Sequence, residues 1–270
     1  MKTFSFLFVL TITIVFTSCA TSPLGRRQLV GMPEAQMNAM GAQSFDELKK
    51  QTPIEHSPSV NSYVNCVAKA ITEAARGQLN IAQWEIVVFK SSQVNAFALP
   101  GGKIGVYTGI LPVLKTDAQL AAVLGHEVGH VIAQHGNERV SQTMLAQGGI
   151  VLADLFSGKM DPDKKQLLMG GLGLGIQYGV LLPYGRTQES EADIIGLRLM
   201  SQAGFDPHQA IEVWKNMEAA NSGKAPPEWM STHPSDENRI QNISSRMSEV
   251  EPMYQSAQAA GLHPHCSLGR

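Results

Sequence analysis

"GHEVGHVIAQHG", Gly125 to Gly136, places three histidines and one glutamate in twelve residues. Apolar residues flank and interrupt it, "AQLAAVLG" before and "VIA" within. The pattern predicts a buried helix from Asp117 to about Asn137, with Thr116 or Asp117 as its cap. Histidines four residues apart, His126 and His130, leave a helix on one face with Cβ atoms ~6 Å apart. Both imidazoles then reach one zinc ion at about 2.0–2.1 Å. Glu127 lies about 100° further round the helix, beside that point, where it can take a proton from water. A buried helix aiming two imidazoles and a carboxylate at one place would be costly without a metal. His135 follows His130 by five residues, about 140° away on a continuous helix. It reads as a structural or surface histidine that cannot join the other two. The metzincin pattern needs a glycine three residues after the second histidine and a third histidine six after it; Ala133 and Gly136 stand there.

Catalytic zinc usually keeps three protein ligands and one open position, so a third ligand must come from elsewhere. "YGRTQESEADIIGLRLM" predicts a helix over Thr187–Gln202. Glu189 and Asp193 are i and i+4 on it and face the same way. One carboxylate can bind zinc, and the other can accept a hydrogen bond from a ligand histidine and fix its tautomer. Glu191 points off that face and is expected in solvent.

The remaining chain fits one domain with an appended arm. It has 270 residues and a net charge of −2, which gives no sign of a nucleic-acid partner. "SPSVNSYVNCVAKAITEAAR" predicts an amphipathic helix capped by Ser57, with Pro58 in its first turn. "WEIVVFK", Trp84 to Lys90, is the clearest strand, and "VNAFALPGGKIGVYTGIL" reads as two strands around Pro100-Gly101-Gly102. Helices are also expected over Glu34–Lys50 and near Arg139–Phe156, Gln166–Leu181, Pro207–Ala220 and Ser235–Glu249. Leu167 to Tyr184 is uncharged for eighteen residues, but its five glycines and Pro183 favour a buried or interfacial helix pair over a membrane span, with partial membrane contact near the lipid anchor as the alternative.

"MKTFSFLFVLTITIVFTSC" has a minimal positive start and a thirteen-residue apolar run, Phe4 to Phe16. That suits a signal-peptide core and is too short to span a bilayer. "FTSCA" resembles the lipobox of bacterial lipoprotein signals, with Phe16 where leucine is usual. The resemblance implies cleavage before Cys19 and lipid on Cys19, with a plain secretory signal as the rival reading. Ala20 after the cysteine favours the outer membrane, facing the periplasm. The expected organisation is a signal peptide over 1–18, a lipidated tether over 19–33, the domain over 34–250 and a tail over 251–270. Cys66 and Cys266 remain after cleavage, an even count that permits a disulfide in an oxidising compartment.

"HEVGH" with "RTQESEAD" resembles peptidase family M48, over about Val60 to Met247. "VNAFALPGGKIGVYTGIL" is similar to that family's strand-turn-strand segment, and the overall shape is similar to its periplasmic lipoprotein branch. The resemblance implies an α+β, mainly α, zincin-like (gluzincin) fold with a small sheet beside the zinc helix. It implies one zinc per chain held by His126, His130 and Glu189, with Glu127 as general base and Asp193 orienting a ligand. "THPSDENRI" resembles the family's late T-H-P segment and implies that His233 approaches the zinc, filling its open position or helping catalysis. The strand with Asn95, Ala96, Phe97 and Ala98 would offer an edge to an extended substrate. The implied function is endopeptidase action on unfolded or misassembled periplasmic and outer-membrane proteins. The alternative is a metal-retaining, chaperone-like lipoprotein with a self-blocked site.

Overall fold

The computed structural model describes residues 19–146, 185–220, 228–233 and 239–268. The signal-peptide stretch, the uncharged stretch 167–184, the helix expected over Gln166–Leu181 and residues 234–238 lie outside the described residues.

The chain opens with a short antiparallel hairpin, β1 (Cys19–Thr21) and β2 (Arg27–Leu29). Helix α1 covers Glu34–Gln51 and α2 Pro58–Ala74. Ser57 stands at the N-cap of α2 without a side-chain capping bond; its hydroxyl pairs with that of Ser59 instead, at 3.1 Å. Three strands follow: β3 (Glu85–Phe89), β4 (Ala96–Leu99) and β5 (Lys103–Tyr107). Then come α3 (Asp117–Ile132), α4 (His135–Ala146), α5 (Arg186–Gln202), α6 (Gln209–Ala220), α7 (Glu228–Thr232), α8 (Arg239–Ser245) and α9 (Met247–Ala259). Thr116 caps α3, its hydroxyl accepting from the Gln119 amide at 3.2 Å. The sequence expectation of an α+β, mainly helical fold holds. Among the described residues no helix is long and apolar enough to cross a membrane.

The sheet order is β3-β5-β4, with β5 parallel to β3 and antiparallel to β4. The β4–β5 turn runs through Gly101 and Gly102, both at positive φ (81° and 74°), a conformation open to glycine at little cost. Strand residues alternate between two faces. Ala96, Ala98, Ile104, Val106 and Val88 join the main core with α2 and α3. Phe97, Leu99, Tyr107 and Phe89 join a second cluster, with Phe45 and Leu48 of α1. The small Ala96 and Ala98 let α3 lie close over β4, so the edge strand of the sheet borders the predicted zinc helix.

Three boundaries depart from the sequence reading. The stretch 19–33, expected as a tether, folds back as the hairpin and buries Ser22, Gln28 and Met32. Helix α3 ends at Ile132 rather than near Asn137, because Gln134 takes a left-handed φ of 55° and a new helix begins at His135. The helix expected over Ser235–Glu249 is two helices parted at Arg246, and α9 carries ordered structure to Ala259, into the stretch expected as tail. Beyond it, Cys266 is joined by a disulfide to Cys66 on α2.

Candidate metal centre

Helices α3 and α5 cross with their backbones almost touching. A Cβ on Gly196 would lie 2.6 Å from the His126 amide nitrogen, and one on Gly129 would lie 2.8 Å from the Ala192 carbonyl oxygen. Only glycine fits such an approach. It brings Glu189 and Asp193 of α5 directly under His126 and His130 of α3.

His126 Nδ1 lies 2.9 Å from Asp193 Oδ1. An ionised carboxylate only accepts, so Nδ1 carries the proton and Nε2 of the neutral ring is a bare lone pair. That lone pair lies 3.0 Å from His130 Nε2 and 3.1 Å from His233 Nδ1. Glu189 Oε1 is 3.0 Å from His233 Nδ1 and 3.4 Å from His130 Nε2, and Oε2 is 3.5 Å from His126 Nε2. Ligand atoms of these four residues all lie within 4.8 Å of one another, and all four residues are buried. Donors around a tetrahedral ion at 2.0–2.1 Å stand about 3.3 Å apart. The observed spacings bracket that value, so the donor set fits zinc.

The neighbours of this cluster divide into three groups. Arg239 on α8 reaches both carboxylates: Nη1 lies 2.6 Å from Glu189 Oε2, and Nε and Nη2 donate to Asp193 at 2.6 and 2.8 Å. The contact to Glu189 is an ion pair without hydrogen-bond geometry, which leaves Oε2 without a hydrogen-bond donor. Burial opposes all three charges, and their mutual attraction reverses it. Glu189, facing His233 and Arg239, is held well below the usual carboxylate range; Asp193 is lowered by Arg239 and His126, and Arg239 is raised. Burial also lowers His126, but Asp193 and Glu189 reverse that and push it up to about 9, so without an ion Nε2 holds a proton that a metal would displace to leave the neutral ring. Glu127 forms the second group. Its Oε1 accepts the Trp229 indole N–H at 2.7 Å and lies 3.3 Å from His233 Nε2. His135 and Glu191 form the third. Burial lowers His130 far below its ordinary value and also lowers His135, despite the Glu191 carboxylate.

The structure thus gathers His126, His130, Glu189 and His233 at one point, sets Glu127 beside it and Asp193 behind His126. Asn95, Ala96, Phe97 and Ala98 lie on or beside the edge strand β4 and are buried. Two expectations are corrected. His135 does not turn to the far side: the chain breaks before it, it is fully buried, and its Nδ1 sits 2.8 Å from His130 Nδ1. Glu191 is not in solvent: it is 4% exposed, under the hairpin, and pairs with Arg26 at 2.9 Å and His135 at 3.1 Å. Sequence reasoning also missed Arg239 and Trp229. Arg239 does stand in the T-H-P segment quoted for His233, and a buried carboxylate pair needs a cation, so a signal for it existed. Trp229 had none.

A cavity of about 160 Å³ opens beside His130, lined by Met37, Asn38, Leu79, Ile81, Ala98 and Gln134 among others. It runs from the end of β4 to the end of α3.

Comparison with known proteins agrees with this geometry. A family model described as peptidase family M48 matches residues 58–247. The chain is 41% identical over 192 residues to mitochondrial metalloendopeptidase OMA1 of Schizosaccharomyces pombe, covering 70% of this chain and 53% of the relative. It is 30% identical over 254 residues to the human mitochondrial metalloendopeptidase OMA1, covering 90% and 48%. It is 25% identical over 221 residues to the beta-barrel assembly-enhancing protease of Escherichia coli, covering 79% and 44%. The chain spans about half the length of these relatives.

Proposed function

The chain belongs to peptidase family M48, and from that premise we propose that it is a zinc-dependent endopeptidase tethered by lipid at Cys19 to the bacterial envelope. The observation that carries the catalytic part is the convergence of His126, His130, Glu189 and His233 at tetrahedral spacing, with Glu127 alongside. A zinc ion held there supplies Lewis acidity toward a peptide carbonyl and toward water. Trp229 fixes one oxygen of Glu127. The other takes a proton from the attacking water and returns it to the departing amine. The outer edge of β4 takes an extended substrate by main-chain pairing, and the cavity beside His130 takes one of its side chains. Pairing of that kind needs an unfolded or exposed segment, which suits removal of misassembled envelope proteins. The name of the Escherichia coli relative, a beta-barrel assembly-enhancing protease, supports β-barrel proteins as the substrate class; the apolar start and "FTSCA" support the envelope as the location.

Glu127→Gln is expected to keep one zinc per chain and to abolish casein cleavage. Cleavage that survives in that variant would remove Glu127 from the role, and a wild type that binds no zinc would remove the whole reading.

A second reading rests on His233. Its Nδ1 lies among the ligand atoms, 3.1 Å from His126 Nε2 and 3.0 Å from Glu189 Oε1, where it competes for the open position. The protein would then be a metal-retaining, chaperone-like lipoprotein whose peptidase site is self-blocked. His233→Ala separates the two: faster casein cleavage identifies a plug, and slower cleavage identifies a residue that assists the reaction.

A further inference from the structure

We propose that His135 and Glu191 position the metal ligand His130, and that Arg26 of the N-terminal hairpin fixes the outer end of this hydrogen-bonded chain. The inference rests on the metal-centre reading above and concerns residues to which that reading gives no role.

His130 turns Nε2 toward the other donors. A neutral imidazole with a lone pair at Nε2 carries its hydrogen at Nδ1, and a metal-binding histidine needs an acceptor for that hydrogen to fix its ring. His135 Nδ1 is at hydrogen-bonding distance, 2.8 Å. To accept, His135 must carry its own hydrogen on Nε2. That nitrogen lies 3.1 Å from Glu191 Oε2, and the same oxygen accepts from Arg26 Nε at 2.9 Å. Each link then has one donor and one acceptor, and a single set of tautomers satisfies them all. His126 uses the same logic in shorter form, with Asp193 as direct acceptor. For His130 an imidazole stands between ligand and carboxylate.

The backbone is bent to make this possible. Gln134 adopts φ 55°, which is uncommon for a residue with a side chain. That turn returns His135 to the metal side, where it is 0% exposed. Arg26 is held as firmly as the inner links. Its Nη1 and Nη2 donate to the two oxygens of Glu138 at 2.8 and 2.7 Å, a forked pairing that keeps Nε aimed at Glu191. Arg26 lies outside the residues matched by the family model, 58–247. The arm next to the proposed lipid anchor therefore reaches a metal ligand through two side chains.

The test is zinc affinity, measured by competition with a chelator on the disulfide-bonded chain, with activity left aside. Loss of outer hydrogen-bond partners typically weakens metal binding about 10–100-fold. His135→Phe keeps a ring and removes the acceptor, so it is expected to weaken zinc within that range. Arg26→Ala touches a half-buried residue outside the hydrophobic core; it is expected to weaken zinc less, in the same direction. In the double variant, Arg26→Ala is expected to add nothing, because the link it supports is gone. A cobalt-substituted protein should show an altered visible absorption spectrum in both single variants. Zinc affinity within twofold of wild type in folded His135→Phe would overturn the positioning role. Unchanged affinity in Arg26→Ala, or full additivity in the double variant, would overturn the link to the hairpin. A wild type without zinc affinity would instead overturn the metal centre itself.

Discussion

Arg239 is the cation that makes two buried carboxylates on neighbouring turns of one helix tolerable. It is 4% exposed, bridges Glu189 and Asp193, and lies 4.0 Å above the Trp214 ring. Removing one partner of a buried ion pair leaves an uncompensated charge, at about 3–5 kcal/mol. Arg239→Leu is therefore expected to lose about that much stability in the metal-free protein, measured by denaturant unfolding. Added zinc should restore part of it, since the ion neutralises Glu189. A loss below about 1 kcal/mol would mean that both carboxylates find other partners. What could be read in the sequence at this scale was whatever a local spacing fixes. His126, Glu127 and His130 are set by helix geometry alone, and Glu189 with Asp193 by the same rule. His135 and Glu191 were misread for one shared reason: each was judged on its own helix, while its position depends on a partner. For His135 the partner is the chain break at Gln134, which has neither glycine nor proline to announce it. For Glu191 it is the hairpin, which a basic, polar stretch disguised as a tether.

Among the elements, the α3–α5 crossing sets the site, and three glycines set the crossing. Gly125 and Gly129 on one helix and Gly196 on the other leave no room for a Cβ, each candidate position falling within 2.8 Å of backbone atoms. Backbone cannot yield as a side-chain end can. Gly196→Ala is expected to push the helices apart, at about 1–3 kcal/mol for an overpacked core. The larger effect should fall on function, because Glu189 and Asp193 would withdraw together from His126 and His130. Zinc affinity should drop more than tenfold while the helical content stays constant by circular dichroism. Zinc affinity equal to wild type in a folded Gly196→Ala would show that the crossing has slack and that the ligands adjust independently. The elements themselves were mostly legible: apolar period with a cap residue marks α2 and α3, and helical character alone marks α1 and α5. The sheet order was not. A run of alternating residues shows a strand but not its neighbour, and β5 lies between β3 and β4 through a parallel pairing that no local turn encodes.

At the scale of the molecule, the segments around Arg26 and Cys266 are fastened to the helices of the metal site by different chemistry. The C-terminal end is covalent: Cys266 is bonded to Cys66, and its amide donates to Asp117 Oδ2 at the first turn of α3. Closing so long a loop contributes about 5 kcal/mol in the chain-entropy model. Cys266→Ser should lose about that much in thermal unfolding and still bind zinc, because Cys266 meets α3 at Asp117, more than two turns from His126. The N-terminal end is fastened partly by charge, beside the Met32–Asn137 and Gly31–Ser141 hydrogen bonds, so its attachment must depend on pH. Arg26 pairs with Glu138 and Glu191. Burial raises both carboxyls, and their partners more than reverse it. Arg26 and Gln188 lower Glu138, while His135, Ser22 and Arg26 push Glu191 down to about 2. A carboxyl whose value falls on docking stabilises the docked state fully above its ordinary value, and that stabilisation fades as pH drops through the lowered value. Only the share of that lowering due to Arg26 and Ser22 belongs to the hairpin, so docking is expected to hold at neutral pH and to weaken as the pH falls below the ordinary carboxylate range. Hydrogen exchange over residues 20–32, corrected for its intrinsic pH dependence, reads this directly. Protection there should be lost at higher pH than protection of α3, and Glu138→Gln should weaken docking at neutral pH and flatten the transition. Were the hairpin to release only together with α3, its attachment would be apolar rather than ionic, and Met32, buried against α1 and α4, would carry it.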